Sequence, residues 1–351
     1  MKAVRLDRPG DVQVLDLPDP KPAEDEALIA VAYAGICGSD VDLLTGRRPA
    51  PYVRYPVVPG HEWSGTVLAV GAHADAGLVG RKVVGRGFVA CGHCPACLLG
   101  DEVLCAADYD EVGFTRPGAW AEQLVIPARQ LHVLTDEADL RAAAGLEPAA
   151  CAADAILRAG VTAGQRIAVV GAGTIGCLAI QMLRGLSPAE LLVVEPHEGR
   201  RDIAARCGAT RSVDPTELGH LAERYDVVIE AAGARTSATD AVTLARRGGC
   251  IVLTGIPEPT ATLRVETVVS KRLSIHTVFG ARPASWQFAA AAFAAGELDP
   301  SLLVTHVLPL SEAARGLQLL VDGRDLTGKV LLSTASSASR HPTLSAGPRL
   351  P

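Results

Sequence analysis

The chain has 351 residues, more than one hydrophobic core ordinarily serves, so two domains are the natural expectation, one of them able to interrupt the other. Hydrophobic residues make up 48%, charged residues 21%, and the net charge is −6, the balance of an ordinary globular protein. The acidic balance and the lack of a Lys/Arg-rich run argue against nucleic-acid or anionic-membrane partners and for small molecules.

The opening residues, Met1 to Asp7, lack the apolar stretch of a secretory leader. No run approaches the roughly 20 apolar residues of a membrane span. A cytoplasmic setting is therefore expected, where the nine cysteines would stay reduced and point to metal ahead of disulfides. To about residue 150, short β-branched runs such as 27–33 and 65–71, punctuated by Gly and Pro, read as a mostly β domain. From about Arg166, apolar strands alternate with Ala-rich helical stretches, the pattern of a parallel sheet covered by helices. The expected strands are 166–170, 191–195, 226–230, 250–254 and 273–279. Helical periodicity resumes at 285–296 and 311–322, and a short strand at 329–332 follows, a segment able to fold back on the first domain. From Ser336 the composition is Ser, Ala, Pro and Arg without periodicity, and a disordered tail over 336–351 is expected.

The strand 166–170 runs into Gly171-Ala172-Gly173-Thr174-Ile175-Gly176 and then into a helical stretch. Glycine spacing alone is weak evidence, but strand, turn and helix together form the context in which it cradles a dinucleotide. Gly171 permits the tight turn, Gly173 admits a pyrophosphate to the backbone, and Gly176 lets helix and strand pack. Glu195, at the end of the next strand, is expected to accept hydrogen bonds from ribose hydroxyls and to favour NAD over NADP. Arg200 and Arg201 lie close behind and could instead neutralise a 2′-phosphate.

Cys91, Cys94, Cys97 and Cys105 fall within fifteen positions, and such spacing lets four thiolates converge on one tetrahedral Zn²⁺. Four ligands leave no open position, so this site is expected to be structural; an iron–sulfur cluster or a redox pair is the alternative. A second, dispersed set comprises Cys37, His61 and Glu147: a thiolate, an imidazole and a carboxylate that would leave a fourth position free for substrate. Each has a plainer reading, as a small buried hydrophobe, a turn residue and a helix-start carboxylate respectively.

Gly35-Ile36-Cys37-Gly38-Ser39-Asp40, Gly60-His61-Glu62, the four-cysteine loop and the glycine-rich turn, in this order, resemble the medium-chain zinc alcohol and polyol dehydrogenases. The resemblance runs from residue 1 to about 333. It implies an α/β protein with a GroES-like β-barrel catalytic domain over 1–150, completed by 285–335, and a Rossmann NAD-binding domain over 151–284. The active site would lie in the cleft between them. Carried over, Cys37, His61 and Glu147 resemble catalytic zinc ligands, with Glu62 as the neighbour that binds zinc directly or through water. The Glu147-Pro148 pair is similar to the sorbitol dehydrogenase branch, and Cys151 is the rival ligand. Two zinc ions per chain, NAD, and a homodimer or homotetramer follow from the same resemblance.

The implied chemistry is Lewis-acid activation of a substrate hydroxyl by zinc and hydride transfer to the nicotinamide. Ser39 resembles the hydroxyl that passes the proton on, Asp40 the carboxylate that orients His61, and Lys329 the basic residue near the cofactor pyrophosphate. Many relatives have a histidine where this chain has Asp42, which leaves the end of the proton path open. Leu43, Phe114 and the region of Arg282 are the expected pocket walls. Leu43 and Ala281-Arg282 depart from the sorbitol-type pattern, whereas 55–67, 112–116 and Glu195-Pro196 with Arg200-Arg201 look like the 2-deoxy-scyllo-inosamine dehydrogenases of aminoglycoside biosynthesis. A cyclitol or aminocyclitol substrate is expected, with an acyclic polyol as the alternative. A non-catalytic NAD-binding protein holding only structural zinc is the reading from another class.

Overall fold

The computed structural model describes residues 1–257, 260–322 and 328–334. The expected tail and residue 335 lie outside the described residues. The first part of the chain lays down β1 (Lys2–Leu6), β2 (Val12–Asp16), β3 (Glu26–Ile36), β4 (Trp63–Val70), β5 (Lys82–Gly85), β6 (Gln123–Pro127) and β7 (Leu131–Val133). Between them sit α1 (Gly38–Thr45) and α2 (Pro95–Leu98), and after them α3 (Leu140–Ala143) and α4 (Leu146–Ala159). β3 has eleven residues and alternates in burial along much of its length, as a strand half covered by a core must. It is the centre of this sheet, pairing antiparallel with both β4 and β6.

The second part reads β8 (Arg166–Val170), α5 (Thr174–Arg184), β9 (Glu190–Val194), α6 (Glu198–Cys207), β10 (Arg211–Val213), β11 (Tyr225–Glu230), α7 (Ser237–Leu244), β12 (Ala245–Leu253), α8 (Val265–Lys271) and β13 (Ser274–Thr277). Its six strands are all parallel, in the order β10-β9-β8-β11-β12-β13. This is a doubly wound sheet whose strand order reverses between β8 and β11, the place where such sheets bind ligands. Both faces are covered: Ile167 and Val169 enter one apolar cluster, Ala168 and Val170 the other.

The chain then returns through α9 (Pro283–Ala294), β14 (Val304–Pro309), α10 (Ala313–Asp322) and β15 (Lys329–Ser333). β15 pairs parallel with β14 and antiparallel with β3, so the end of the described chain closes the first sheet. The crossing back falls later than residue 285. Trp286, Ala289, Ala292 and Leu298 join the same core as Ile167 and Leu178, and the first residues to enter the other sheet are those of β14. Helical periodicity announces α9 but not its docking partner, which is set by small Ala side chains that let it lie close against α4.

α4 packs against both parts, touching β5 of the first sheet and α5, β11, β12 and β13 of the second. Glu147, Cys151, Asp154 and Arg158 recur at the spacing of one helix face. Asp154 is buried and accepts from Arg282 (2.6 Å), Ser285 (2.6 Å) and Arg158 (2.5 Å), and Arg158 reaches on to Asp101 at 3.1 Å. Burial alone would raise the Asp154 carboxyl; the bonds from Ser285, Arg158 and Arg282 hold it below its ordinary value. Arg282 itself, from the region expected at the pocket wall, is thus committed to tying α9 to α4.

Candidate active site

β3 ends at Ile36 and Cys37 becomes the residue that opens α1, with extended backbone. The Asp40 carboxylate accepts the Cys37 N–H at 2.8 Å, which caps the helix and fixes the position of the thiol. His61 is placed by a different device. Gly60 has φ +99°, and a Cβ there would stand 2.4 Å from the Trp120 ring, so only glycine allows this turn against the buried indole. Glu62 follows directly, and its backbone carbonyl accepts the Gly35 N–H at 2.8 Å, bringing the two strand ends together.

The result is that one donor atom from each of Cys37, His61 and Glu62 lies within 4.8 Å of the others. Glu147, expected as the third ligand, stands outside this trio, although its side chain lines the same cleft. Burial raises the Glu147 carboxyl to about 7 against the opposing pull of His61, with Glu62 and Glu111 adding to the rise. Cys151 donates its thiol to Glu147 at 3.7 Å and is likewise outside the trio.

The donor set fits a zinc ion. His61 Nδ1 and Asp40 Oδ1 are buried, 3.7 Å apart, and neither has a hydrogen-bond partner. Such a pair is satisfied when the ring carries its proton on Nδ1 toward the carboxylate and offers Nε2 to a metal. Burial lowers the His61 pKa, yet the Asp40 charge and the Cys37 sulfur outweigh it and hold the ring well above its ordinary value. Burial pushes Asp40 up to about 6. Ser39 Oγ lies 3.4 Å from His61 Nε2 and lines the cleft.

Two expected roles fall elsewhere. Lys329 is buried, and its ammonium donates to both Glu62 oxygens at 2.8 and 2.6 Å instead of facing the glycine turn. The cause is register: β15 pairs Val330 with Ile36, which sets Lys329 beside the end of β3 and beneath Glu62. Leu43 is fully buried in the first core and is no pocket wall. Asp42 does line the cleft, but its Oδ1 is taken by Arg47 at 2.9 and 2.8 Å.

The cleft has a volume of about 800 Å³ and is bounded on one side by Cys37, His61 and Phe114 and on the other by Ile175, Ala232, Thr254 and Val278. Sequence reasoning missed Arg48 and Glu111, both on its wall. They are 63 residues apart, joined at 2.9 Å, and no local pattern announces the pair.

An adjoining cleft of about 550 Å³ is lined by Gly38, Ala172, Gly173, Thr174, Arg200 and Thr305. The three glycines behave as their spacing implies. Gly171 has φ +99°, a Cβ on Gly176 would meet the Gly171 carbonyl at 1.9 Å, and a Cβ on Gly173 would meet nothing within 4 Å, leaving room for a phosphate before the N-terminus of α5. The Glu195 carboxylate accepts the Ala172 N–H at 2.9 Å and the His197 N–H at 3.0 Å, so it braces the turn. Arg200 lines this cleft, whereas Arg201 donates to the carbonyls of Glu195 and Pro196.

The second cluster is closed. The sulfurs of Cys91, Cys94, Cys97 and Cys105 lie within 4.8 Å of one another. Backbone N–H groups donate to them: Cys91 to Cys105 Sγ at 3.3 Å, Cys94 to Cys91 Sγ at 3.4 Å and Ala106 to Cys94 Sγ at 3.5 Å. The N–H of Ala106 draws the Cys94 thiol below its ordinary range and that of Cys91 does the same for Cys105, while burial among the other sulfurs pushes Cys97 up to about 12. Four sulfurs crowded this way can all ionise only around a cation, which is the setting of a structural zinc.

Residues 23–136 match the model of the alcohol dehydrogenase GroES-like domain and residues 174–295 that of the zinc-binding dehydrogenases. An L-threonine 3-dehydrogenase of Aeromonas hydrophila is 31% identical over 344 residues, covering 95% of this chain and 99% of its own. An alcohol dehydrogenase of Escherichia coli, solved with NADH, superposes with a TM-score of 0.88 at 28% identity, covering 95% and 99% of the two chains. A zinc-binding dehydrogenase of Sinorhizobium meliloti, solved with NADP, does so at 0.87 and 28%, covering 95% and 98%. Two domains matched in order and near-complete coverage leave one assignment: the chain belongs to the medium-chain zinc-dependent alcohol dehydrogenase family, as an alcohol oxidoreductase.

Proposed function

We propose that this chain oxidises a secondary hydroxyl of a cyclitol or aminocyclitol and passes the hydride to NAD. The observation that carries the alcohol oxidation is the trio Cys37, His61 and Glu62 opening onto a cleft whose far wall includes Ile175 of the glycine turn; the ring substrate is supported by the resemblance of segments 55–67 and 112–116. When bound there, zinc supplies Lewis-acid polarisation of the substrate hydroxyl and NAD accepts the hydride.

The remaining work belongs to side chains. Cys37, His61 and Glu62 hold the metal, with Glu147 as a further carboxylate on the wall, and Lys329 balances the Glu62 charge. Asp40 orients the His61 ring through Nδ1. Ser39 Oγ receives the proton of the substrate hydroxyl. Asp42, three residues on along the same face of α1 and steadied by Arg47, is the acceptor beyond it. Gly171, Gly173, Thr174, Ile175 and Gly176 cradle the dinucleotide, Glu195 braces their turn, and Arg200 lies along the phosphate side. Cys91, Cys94, Cys97 and Cys105 hold a structural zinc.

We further propose a homodimer or homotetramer built on the exposed edge strand β13, in the cytoplasm. Among the described residues no helix is long and apolar enough to cross a membrane.

The threonine dehydrogenase relatives support a second reading, a β-hydroxy amino acid substrate. The test is a panel of cyclitols, aminocyclitols, linear polyols and L-threonine, followed by NADH absorbance on zinc-replete protein. Ring alcohols are expected to show the highest kcat/KM. Turnover confined to L-threonine or to linear polyols would overturn the ring assignment.

A further inference from the structure

Arg48, Tyr109 and Glu111 form a polar group on the wall of the substrate cleft that the reaction chemistry above does not use. Arg48 is nearly buried, and its guanidinium carbon lies 3.5 Å from the centroid of Phe114. Phe114 in turn packs against His61 with ring centroids 4.8 Å apart. One aromatic ring therefore separates the group from a metal-binding histidine. Arg48 Nη2 donates to the Tyr109 hydroxyl at 2.6 Å and to Glu111 Oε2 at 2.9 Å, and the Tyr109 hydroxyl also donates to Glu111 Oε2.

Both side-chain bonds that reach Glu111 fall on one of its oxygens, Oε2. Glu111 is 6% exposed, yet Oε1 accepts no hydrogen bond among the described residues and is absent from the polar atoms sealed away from solvent. A buried carboxylate with one oxygen satisfied and the other open to a cavity asks its ligand for a hydrogen-bond donor.

Charge decides which donor. The cleft wall carries the carboxylates of Asp42, Glu62, Glu111 and Glu147 against the cations Arg47 and Arg48. Arg47 is already held by Asp42, and Arg48 by Glu111. Apart from His61 at the metal site, both cationic side chains of this wall are already paired, whereas Glu111 offers an unbonded oxygen to a ligand cation.

We infer that Glu111 Oε1 is a specificity-determining acceptor for a protonated amino substituent on the substrate, on the same cleft wall as the metal-binding His61. This rests on the ring-alcohol reading above and narrows it to amino alcohols. Arg48 and Tyr109 are positioning residues that hold the other oxygen.

The test compares scyllo-inosamine with scyllo-inositol as substrates of the zinc-replete enzyme with NAD, in the wild type, Glu111→Gln and Tyr109→Phe. In Glu111→Gln the ratio of kcat/KM for the amine over the alcohol is expected to fall roughly tenfold to a hundredfold, the loss of one charge-assisted hydrogen bond. In Tyr109→Phe, which keeps the Glu111 charge, the ratio should stay within about threefold of the wild type. A merely structural role would lower both substrates in parallel and leave the ratio unchanged in Glu111→Gln, which overturns the inference.

Should the wild type oxidise neither ring compound, the cyclitol reading fails, and the subsite is read by calorimetric binding of trans-4-aminocyclohexanol and trans-1,4-cyclohexanediol. Preference for the amine that disappears in Glu111→Gln supports the inference. Equal binding of both compounds to the wild type contradicts it.

Discussion

The two cysteine-bearing clusters of this protein are built in opposite ways. Cys91, Cys94, Cys97 and Cys105 come from one loop, remain partly exposed, and are braced by the N–H groups of their own segment. Cys37, His61 and Glu62 come from the ends of separate elements, sit under Trp120 and Lys329, and need β3, β4 and β15 all in place. A local cluster can saturate a metal and hold a fold. A convergent one can leave a position open, because no single segment dictates its fourth ligand.

The largest effect should come from breaking the convergent cluster. Cys37→Ala is expected to lower kcat/KM by roughly a thousandfold or more, since Lewis-acid stabilisation is worth several kcal/mol. Its melting temperature should move little, because the loop cluster is untouched. Steady-state kinetics beside calorimetry separate the two, and full turnover in this variant would sink the assignment.

Next comes the buried pair beneath it. Lys329→Met leaves the Glu62 carboxylate buried without its partner, at a cost of about 3–5 kcal/mol in zinc-free protein. Added zinc should recover much of that loss if Glu62 binds it. Urea denaturation with and without zinc reads both numbers. The Lys329 pKa is raised, against the desolvation that would lower it, by Glu62 and Cys37. Its stabilisation is therefore complete below the unfolded lysine value and lost only as pH rises through the higher folded one.

Breaking the local cluster should have the reverse signature. Cys97→Ala is expected to lower the melting temperature by on the order of 10 °C while the folded fraction keeps its kcat/KM. Unchanged stability and zinc content would deny this cluster its structural role.

Legibility followed the same division. The loop cluster could be read from spacing alone, as could the glycine turn and five of the six parallel strands, since each depends on neighbours in sequence; the three-residue edge strand β10 was too short to announce itself. His61 and Cys37 needed a family resemblance to be joined. What sequence misplaced was long-range. Lys329 was read toward the cofactor because nothing near it reveals the β15–β3 register that turns it onto Glu62. Leu43 was read as a wall, although α1 turns that side chain into the core; the region of Arg282 does reach the cleft through Val278, Phe279 and Gly280, while Asp154 claims Arg282 itself across 128 positions. Arg48 and Glu111 went unseen for the same reason.

Two smaller perturbations sharpen the contrast. Asp40→Asn should reduce kcat/KM or zinc affinity about 10–100-fold, the usual cost of losing the partner of a metal-binding histidine. Titration with a zinc buffer distinguishes these outcomes. Asp154→Asn should cost about 1–2 kcal/mol at neutral pH. Because the folded Asp154 carboxyl is held below its ordinary value, that stability is present above the unfolded value near 3.8 and disappears as pH falls through the folded one. The acid limb of the denaturation curve should therefore be shallower in the variant, and an identical limb would remove Asp154 from the account.

The most direct measurement is anomalous diffraction at the zinc edge from crystals grown with NAD. Two peaks per chain are expected: one among the sulfurs of 91, 94, 97 and 105, and one held by Cys37 Sγ and the His61 ring, at about 2.3 and 2.0–2.1 Å, with a carboxylate from 62 or 147. A single peak in the cysteine loop, with the sulfur at 37 and the imidazole at 61 facing no metal, would contradict that expectation.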